Sequence, residues 1–431
     1  MSHIYRELQD YFDQKKQENR PFGFIVSGIV GSGKTTVIEK ILEGFSDDYV
    51  IFQFTGDDIQ FRKAVAEDSK YLLNYVQSRT NQKSLVFIDE VQKTEEVFDG
   101  LKILFDSKQV SFIVSGSNPA YLSTIAKKRL QRRAEQLYLL PFSIQELLHA
   151  EGFLQKNDLY LFKKIIFQAD NLKDIKMPSL TITSKVKDVC DLFLNYGGLP
   201  LSYASGSEEL KLKEIRLVVE RGFELLSVNN SAINESIRLE LANLSSREFS
   251  YQNILNKVRL RKRDEVNKVI DDLINHGYLV KKSPTLLKKN KSSYLSVFSY
   301  IDPGILNYLC GGKPNEIDKG FWLESYIHAR LDSYVKNSVY KTEIGYFKFH
   351  DIDINDKIKY KSGEIDFVLK QGKKILPIEV KLTNQISNIQ NQNMIQFLKE
   401  HANSPFAVIV YGGIPHLDAP NKIIYWPYWL L

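Results

Sequence analysis

The sequence predicts an α/β protein with four parts in series. A parallel sheet between helices comes first, then an all-helical segment, a helix–turn–helix with a β-hairpin, and a second α/β unit. Three observations predict this. Over the first 150 or so residues, continuous apolar runs alternate with helical periods, as a sheet covered on both faces requires. Between 143 and 235 the strand pattern gives way to apolar residues at helical spacing. After 313 a long helical stretch leads into short strands that carry two acids and a lysine. At 431 residues the chain is too long for one ordinary core. The expected units are 1–142, 143–242, 243–312 and 313–431.

Each element follows from local pattern. FGFIVS (22–27), YVIFQF (49–54), SLVFI (84–88) and VSFIVS (110–115) are strand-like runs with helical stretches between them. SIQELLHAEGF, LYLFKKIIFQA and VKDVCDLFLNY read as helices, and NYGGLP (195–200) breaks them. SYQNILNKV and KRDEVNKVIDDLINHGYL read as two further helices, the second ended by Gly277. YLVKKSP and SYLSVFSYI then suggest a hairpin, which completes a winged-helix plan. The glycines of GGKP (311–314) suggest a linker, and LKKNKSS (287–293) a solvated loop.

Composition narrows the class. Apolar residues make up 43% and charged residues 26%, which are globular values rather than disordered ones. The formal charge of +6 permits a nucleic-acid partner without demanding one. Segment 243–312 holds twelve Lys/Arg against six Asp/Glu, so the excess sits there. Cys190 and Cys310 lie far apart and form no metal-ligand pattern, which fits a reducing, cytoplasmic setting. No run approaches 18 uninterrupted apolar residues, so no membrane span is expected.

The first chemical motif is GIVGSGKT (28–35), which satisfies G-x-x-x-x-G-K-[ST] after a strand and before a helix. Glycines let backbone N–H groups curl around phosphate oxygens, and the helix N-terminus adds positive potential. Gly28, Gly31, Ser32, Gly33, Lys34, Thr35 and Thr36 are the expected nucleotide-binding residues, with Lys34 on the phosphates and Thr35 on Mg²⁺. About 55 residues on, LVFIDEVQK (85–93) ends a buried strand in Asp89 and Glu90. Asp89 is expected to hold Mg²⁺ and Glu90 to polarise the attacking water of ATP hydrolysis. The next strand ends in SGSNP (115–119), where a polar residue, Asn118, could meet the γ-phosphate or the water. Arg132 or Arg133 could act as an arginine finger, or belong to a solvated basic face.

Together GIVGSGKTT, VFIDEVQK, VSGSNP, LLPFSIQEL and NYGGLP resemble prokaryotic AAA-type ATPases that carry a C-terminal restriction-endonuclease-like domain. The resemblance covers nearly the whole chain in order. It implies a P-loop NTPase parallel sheet, a helical lid, a winged helix and a C-terminal restriction-endonuclease-like α/β domain. It also implies a finger or sensor at Arg133, eight residues before Pro141. Here Arg132-Arg133 stands where that family usually has Gly-Arg.

The second motif is EIDFVLKQGKKILPIEVK (364–381). PD-(D/E)XK nucleases need an acid on one strand and an acid-x-lysine on the next. The acids hold Mg²⁺ or Mn²⁺, the metal acidifies a bound water, and the lysine steadies the phosphate. Asp366, Glu379 and Lys381 fill those places, and Glu324 on the preceding helix completes the set. The spacing puts Glu379 and Lys381 on one strand face. A working DNA nuclease and a binding platform kept on the same fold are both open at this point. RLRKR (259–263) suits DNA phosphates, although winged helices also dock proteins. A homo-oligomer is possible, since a finger can act in trans. The apolar IIYWPYWLL at 423–431 suggests core packing or an oligomer contact.

Overall fold

The computed structural model describes residues 6–18, 20–228, 231–285, 295–312, 316–352 and 358–431. The loop expected at 287–293 lies outside them, as do Lys313 and Pro314 of the expected linker.

The N-terminal unit opens with helix α1 (Glu7–Glu18) and strand β1 (Gly23–Ser27). It continues through α2 (Lys34–Phe45), β2 (Val50–Thr55), α3 (Ile59–Glu67), α4 (Tyr71–Gln77) and β3 (Ser84–Asp89). α5 (Val97–Asp106), β4 (Val110–Gly116), α6 (Pro119–Ile125) and β5 (Glu135–Tyr138) complete it. The five strands pair in parallel in the order β2-β3-β4-β1-β5. Their alternation feeds two cores. Ile25, Val86, Ile88 and Val114 pack into one, while Phe24, Val26, Phe87 and Ile113 pack into the other. Burial on both faces is what the continuous apolar runs demanded.

A helical stretch follows: α7 (Ile144–Ala150), α8 (Leu161–Gln168), α9 (Ser184–Tyr196), α10 (Pro200–Ala204), α11 (Glu208–Glu224) and α12 (Ala232–Asn243). Ser143 and Glu146 close a capping box at the start of α7, so two orphan N–H groups are satisfied reciprocally. This stretch contributes to two different cores. α7, α8 and α9 pack with the C-terminal unit, whereas Ile215, Val219 and Leu241 pack with the elements that come next. Those are α13 (Tyr251–Lys257), α14 (Arg263–Asn275), β6 (Leu279–Pro284), β7 (Val297–Tyr300) and α15 (Pro303–Leu309). The helices and the β6–β7 hairpin form where the sequence placed them.

The C-terminal unit consists of α16 (Glu316–Lys336), β8 (Glu343–Ile352), β9 (Ile358–Gln371), β10 (Lys374–Val380), α17 (Gln392–Glu400), β11 (Ala407–Tyr411), β12 (His416–Asp418) and β13 (Ile423–Pro427). Its sheet has eight strands in the order β12-β13-β11-β10-β9-β8-β6-β7. The hairpin is therefore also an edge of the C-terminal sheet. β6 pairs with β8 in parallel through Ser283↔Gly345 and Pro284↔Tyr346. Nothing in the sequence pattern announced this annexation. The aromatic C-terminal stretch is core: Trp426, Trp429, Leu430 and Leu431 are all at most 1% exposed.

Candidate functional sites

β1 delivers the chain into the glycine loop, and α2 begins at its far end. Gly31 and Gly33 take φ of 76° and 88°, in the left-handed region that side chains disfavour. A Cβ at Gly31 would also meet Val218 of α11 at 2.8 Å, and one at Gly33 would meet Pro200 at 3.2 Å. The helical stretch thus lies directly against the loop. Lys34 is buried and its Nζ donates to the carbonyls of Gly28 (3.1 Å) and Ile29 (2.9 Å). Burial lowers its pKa to about 8, against the pull of Glu90 and Asp89. Thr35 Oγ1 donates to Asp89 Oδ2 at 2.8 Å, so the two groups expected at a Mg²⁺ already stand together. Ser32 Oγ is buried without a hydrogen-bond partner among the described residues. A buried cationic donor, an unused hydroxyl and a Thr–Asp pair fit a magnesium-bound triphosphate.

The strand ends carry the rest. Ser115 donates to Asp89 Oδ1. Glu90 has φ 49° and ψ 43°, an uncommon left-handed conformation for a non-glycine residue and a local strain of roughly 1–3 kcal/mol. Its carboxylate accepts from Gln92 Nε2, which also donates to Ser117 Oγ at 3.0 Å. Asn118 Oδ1 caps α6 by accepting from the Tyr121 N–H at 3.0 Å. Its amide nitrogen lies 3.2 Å from His276 Nε2, at the end of α14. Asn118 is thus turned toward the end of α14, and Ser117 is the residue beside Glu90.

The second site sits where β9 and β10 meet α16. Phe367 pairs with Ile378, so the register sets Asp366 opposite Glu379. Cross-strand opposites share a face. The Asp366 N–H donates to Glu379 Oε2 (3.4 Å), and the Val380 N–H to Asp366 Oδ2 (2.7 Å). Lys381 Nζ pairs with Glu379 Oε1 at 2.6 Å. Glu324 comes in from α16, but its partner is Lys282 of β6, at 2.6 Å. Lys282 Nζ also donates to the Asp366 carbonyl at 2.8 Å and lies 4.0 Å above the Phe367 ring. Burial raises the pKa of both Glu324 and Glu379, and Asp366 pushes each further up, against the attraction of Lys282 and Lys381 respectively. Glu324, Asp366, Glu379 and Lys381 are therefore neighbours. Even so, among the described residues no three acid, His or Cys side chains stand close enough together to hold a metal ion. The expected three-carboxylate metal set of Glu324, Asp366 and Glu379 is therefore not assembled here, and Lys282 is the partner of Glu324.

Residues 22–148 match the family model of an AAA domain. They are an AAA-type P-loop ATPase domain. Residues 319–431 match a second family model, a domain of unknown function (DUF4143). Among solved structures, the chain is similar to a Thermotoga maritima RuvB Holliday junction branch migration motor. That match has 13% identity and a TM-score of 0.30, and covers 69% of this chain and 92% of that one. It is also similar to the replication initiator DnaA bound to AMPPCP and single-stranded DNA. Here the identity is 19% and the TM-score 0.26, with coverage of 63% and 90%. No curated protein matches.

Within the AAA domain, Arg133 precedes β5, whose Glu135 pairs with Phe24 at the start of β1. The phosphate loop follows the other end of β1, so Arg133 is at the opposite end of the strands from its own nucleotide loop. It forms a two-bond pair with Asp106, at 2.8 and 3.0 Å. Arg132 beside it is exposed. Sequence reasoning missed Ser115, Gln92, His276 and Lys282. The first two sit inside segments already singled out, so proximity to Asp89 and Glu90 was a usable signal. His276 and Lys282 reach their sites only through long-range packing. Among the described residues, no helix is long and apolar enough to cross a membrane.

Proposed function

We propose that the AAA domain binds and hydrolyses ATP to control a metal-dependent DNA nuclease site in the C-terminal unit. Lys34 holds the β- and γ-phosphates, and the loop N–H groups from Gly28 to Thr36 cradle them. Thr35 and Asp89 would hold Mg²⁺, which would supply neutralisation of phosphate charge. Glu90 orients the attacking water, with Gln92 and Ser117 setting its direction. Arg133, remote from its own loop, reaches a nucleotide only in a second copy of the chain, so a homo-oligomer belongs to this reading.

The observation that carries the nuclease half is the convergence of four residues from three separate elements. Glu324, Asp366, Glu379 and Lys381 are joined through contacts of 2.6 to 3.4 Å, with Lys282 as the link to Glu324. The element order supports it as well. A helix precedes an antiparallel meander β8-β9-β10, and a second helix leads to β11, parallel to β10. That order puts the lone acid and the acid-x-lysine on adjacent strands, as the proposed restriction-endonuclease-like unit requires. If Asp366 and Glu379 came to hold Mg²⁺ or Mn²⁺, the ion would supply an acidified water. Lys381, paired with Glu379, would orient that water and steady charge on the scissile phosphate. Segment 243–312 is the winged helix in this scheme. Arg259, Arg261, Lys262, Arg263 and Lys268 are exposed along the start of α14 and suit DNA phosphates.

The test is cleavage of supercoiled, linear and single-stranded DNA with Mg²⁺ or Mn²⁺, with and without ATP. Cutting that disappears in Glu379→Ala supports the reading. ATP hydrolysis without cutting under any condition removes its nuclease half. The Lys282–Glu324 pair favours one second reading, a nucleotide-driven regulatory switch whose C-terminal unit binds DNA or protein without cutting.

A further inference from the structure

We infer that His276 at the end of α14 is a positioning residue for ATP hydrolysis: its imidazole accepts from the Asn118 amide and fixes it near Glu90, with one amide N–H left for the γ-phosphate or the attacking water. The inference rests on the ATP-hydrolysis reading. It adds to that site a residue from outside the AAA match, which ends at 148.

Asn118 is in the right place. Gly116 of β4 pairs with Ser27 of β1, so Asn118 leaves the sheet at the same end as the phosphate loop. The hydroxyl of its neighbour Ser117 lies 3.5 Å from Glu90 Oε2. The chain after His276 rests directly on this segment. A Cβ at Gly277 would stand 3.3 Å from Pro119 and 2.9 Å from the Tyr138 hydroxyl. That hydroxyl donates to the Gly277 carbonyl at 3.1 Å.

The hydrogen bonds then assign each role. Asn118 Oδ1 accepts from the Tyr121 N–H at 3.0 Å, so turning the amide over would cost α6 its cap, and the nitrogen faces His276. His276 Nδ1 faces two acceptors, the Asp272 carbonyl at 3.0 Å and Asp272 Oδ1 at 3.2 Å. Nδ1 therefore carries the hydrogen. Nε2 of the neutral ring keeps a lone pair for the Asn118 N–H, 3.2 Å away. Asp272 is held in turn, since its Oδ2 accepts from the Val228 N–H at 2.8 Å. His276 and Asp272 are each 6% exposed, so water competes little for these bonds. An amide has two N–H groups, and His276 takes one of them. Among the described residues the other has no partner. A donor fixed by two bonds before ATP arrives needs no reorganisation to meet charge that develops during hydrolysis, which is how preorganised donors accelerate a reaction.

Steady-state ATP hydrolysis by the full chain tests this. His276→Phe keeps a ring and removes the acceptor. It is expected to lower kcat roughly 10–100-fold and to leave KM for ATP within about twofold, since the contact serves the transition state rather than binding. His276→Gln offers a side-chain carbonyl to Asn118 and is expected to recover most of the loss. In an Asn118→Ala background, His276→Phe is expected to cost less than about twofold, because the group it positions is gone. Unchanged kcat in His276→Phe overturns the inference. An equal loss with and without Asn118 also overturns it and makes His276 a packing residue of α14. If His276→Phe does not fold, the wild-type imidazole decides, read by nitrogen-15 NMR and assigned by its absence from His276→Gln. An Nε2 that carries no hydrogen, and whose resonance shifts when a non-hydrolysable ATP analogue is added, supports the inference. A hydrogen on Nε2, or no shift, overturns it. A wild type that hydrolyses no ATP removes the ATPase reading and this inference with it, whereas hydrolysis indifferent to His276 removes the inference alone.

Discussion

Lys34 sets a pH limit on nucleotide binding. In the free chain burial holds its pKa at about 8, and its donors are spent on the Gly28 and Ile29 carbonyls. Triphosphate oxygens favour the charged form and raise that pKa on binding. Below pH 8 the lysine is protonated in both states, and affinity is flat in this respect. Above pH 8 binding must take up a proton, so the apparent Kd is expected to weaken by about tenfold per pH unit until the bound-state pKa is reached. Titration with a fluorescent ATP analogue from pH 7 to 10 checks this. A flat profile in the wild type, or the same step in Lys34→Met, would refute it. Glu90→Gln should keep ATP binding and lower hydrolysis by roughly 10²–10⁴-fold, as loss of a general base does. The residues behind these predictions were legible, since each belongs to a contiguous motif whose spacing states its chemistry. Lys282 was not. Its hairpin reads as the wing of a winged helix, and the pairing of β6 with β8 beside the carboxylates is a long-range contact.

The turn between α9 and α10 shows what an element contributes. Gly197 and Gly198 are pinned by Asp302, which heads α15. Its carboxylate accepts from the Gly198 N–H at 2.8 Å, Gly304 at 2.9 Å and Ile305 at 3.2 Å. A Cβ at Gly197, where φ is 69°, would stand 2.0 Å from Asp302 Oδ1, and one at Gly198 would stand 2.0 Å from the Phe142 carbonyl. NYGGLP thus clamps α15 to the LLPFS segment and places Pro200 against Gly33 of the phosphate loop. Asp302→Ala removes a helix cap and leaves a buried N–H unpaired, so a loss of about 2–4 kcal/mol is expected in urea unfolding. A loss under about 0.5 kcal/mol, the range of an ordinary surface substitution, would contradict the clamp. The helices and strands were legible because periodicity and punctuation are local signals. The clamp was not, because Asp302 lies about a hundred residues from the turn it holds.

At the scale of the whole molecule, the units in sequence are not the units in space. Leu147, Phe162, Ile166 and Phe193 share one core with Leu323, Tyr326, Leu331, Phe367 and Trp426. Asn337 at the end of α16 closes the edge of the AAA sheet, accepting from the Tyr138 N–H at 2.7 Å and donating to its carbonyl at 2.9 Å. Tyr326 OH donates to the carbonyl of Leu431 at 2.9 Å, and the Ile144 N–H donates to the same hydroxyl at 3.2 Å. Arg6 forms a buried pair with Glu146 at 3.0 Å. Amphipathic patterns tell which face of α7, α8 or α9 is apolar but not what covers it, so this interleaving could not be read along the chain. It has a direct consequence for truncation. Cutting after Gly312 removes the partners of those helices, and each large side chain thereby exposed forfeits about 1.5–3 kcal/mol. Domains are marginally stable, so a few such losses suffice to unfold the helical stretch. The fragment 1–312 is therefore expected to lose near-ultraviolet circular dichroism, bind a hydrophobic dye and run as aggregate in size-exclusion chromatography. The two cores of the AAA sheet draw on residues before 142 alone and should keep their secondary structure. A monodisperse, cooperatively unfolding 1–312 fragment with wild-type ATP affinity would show instead that α7, α8 and α9 find cover without the C-terminal unit. The nucleotide domain would then owe that unit nothing structurally.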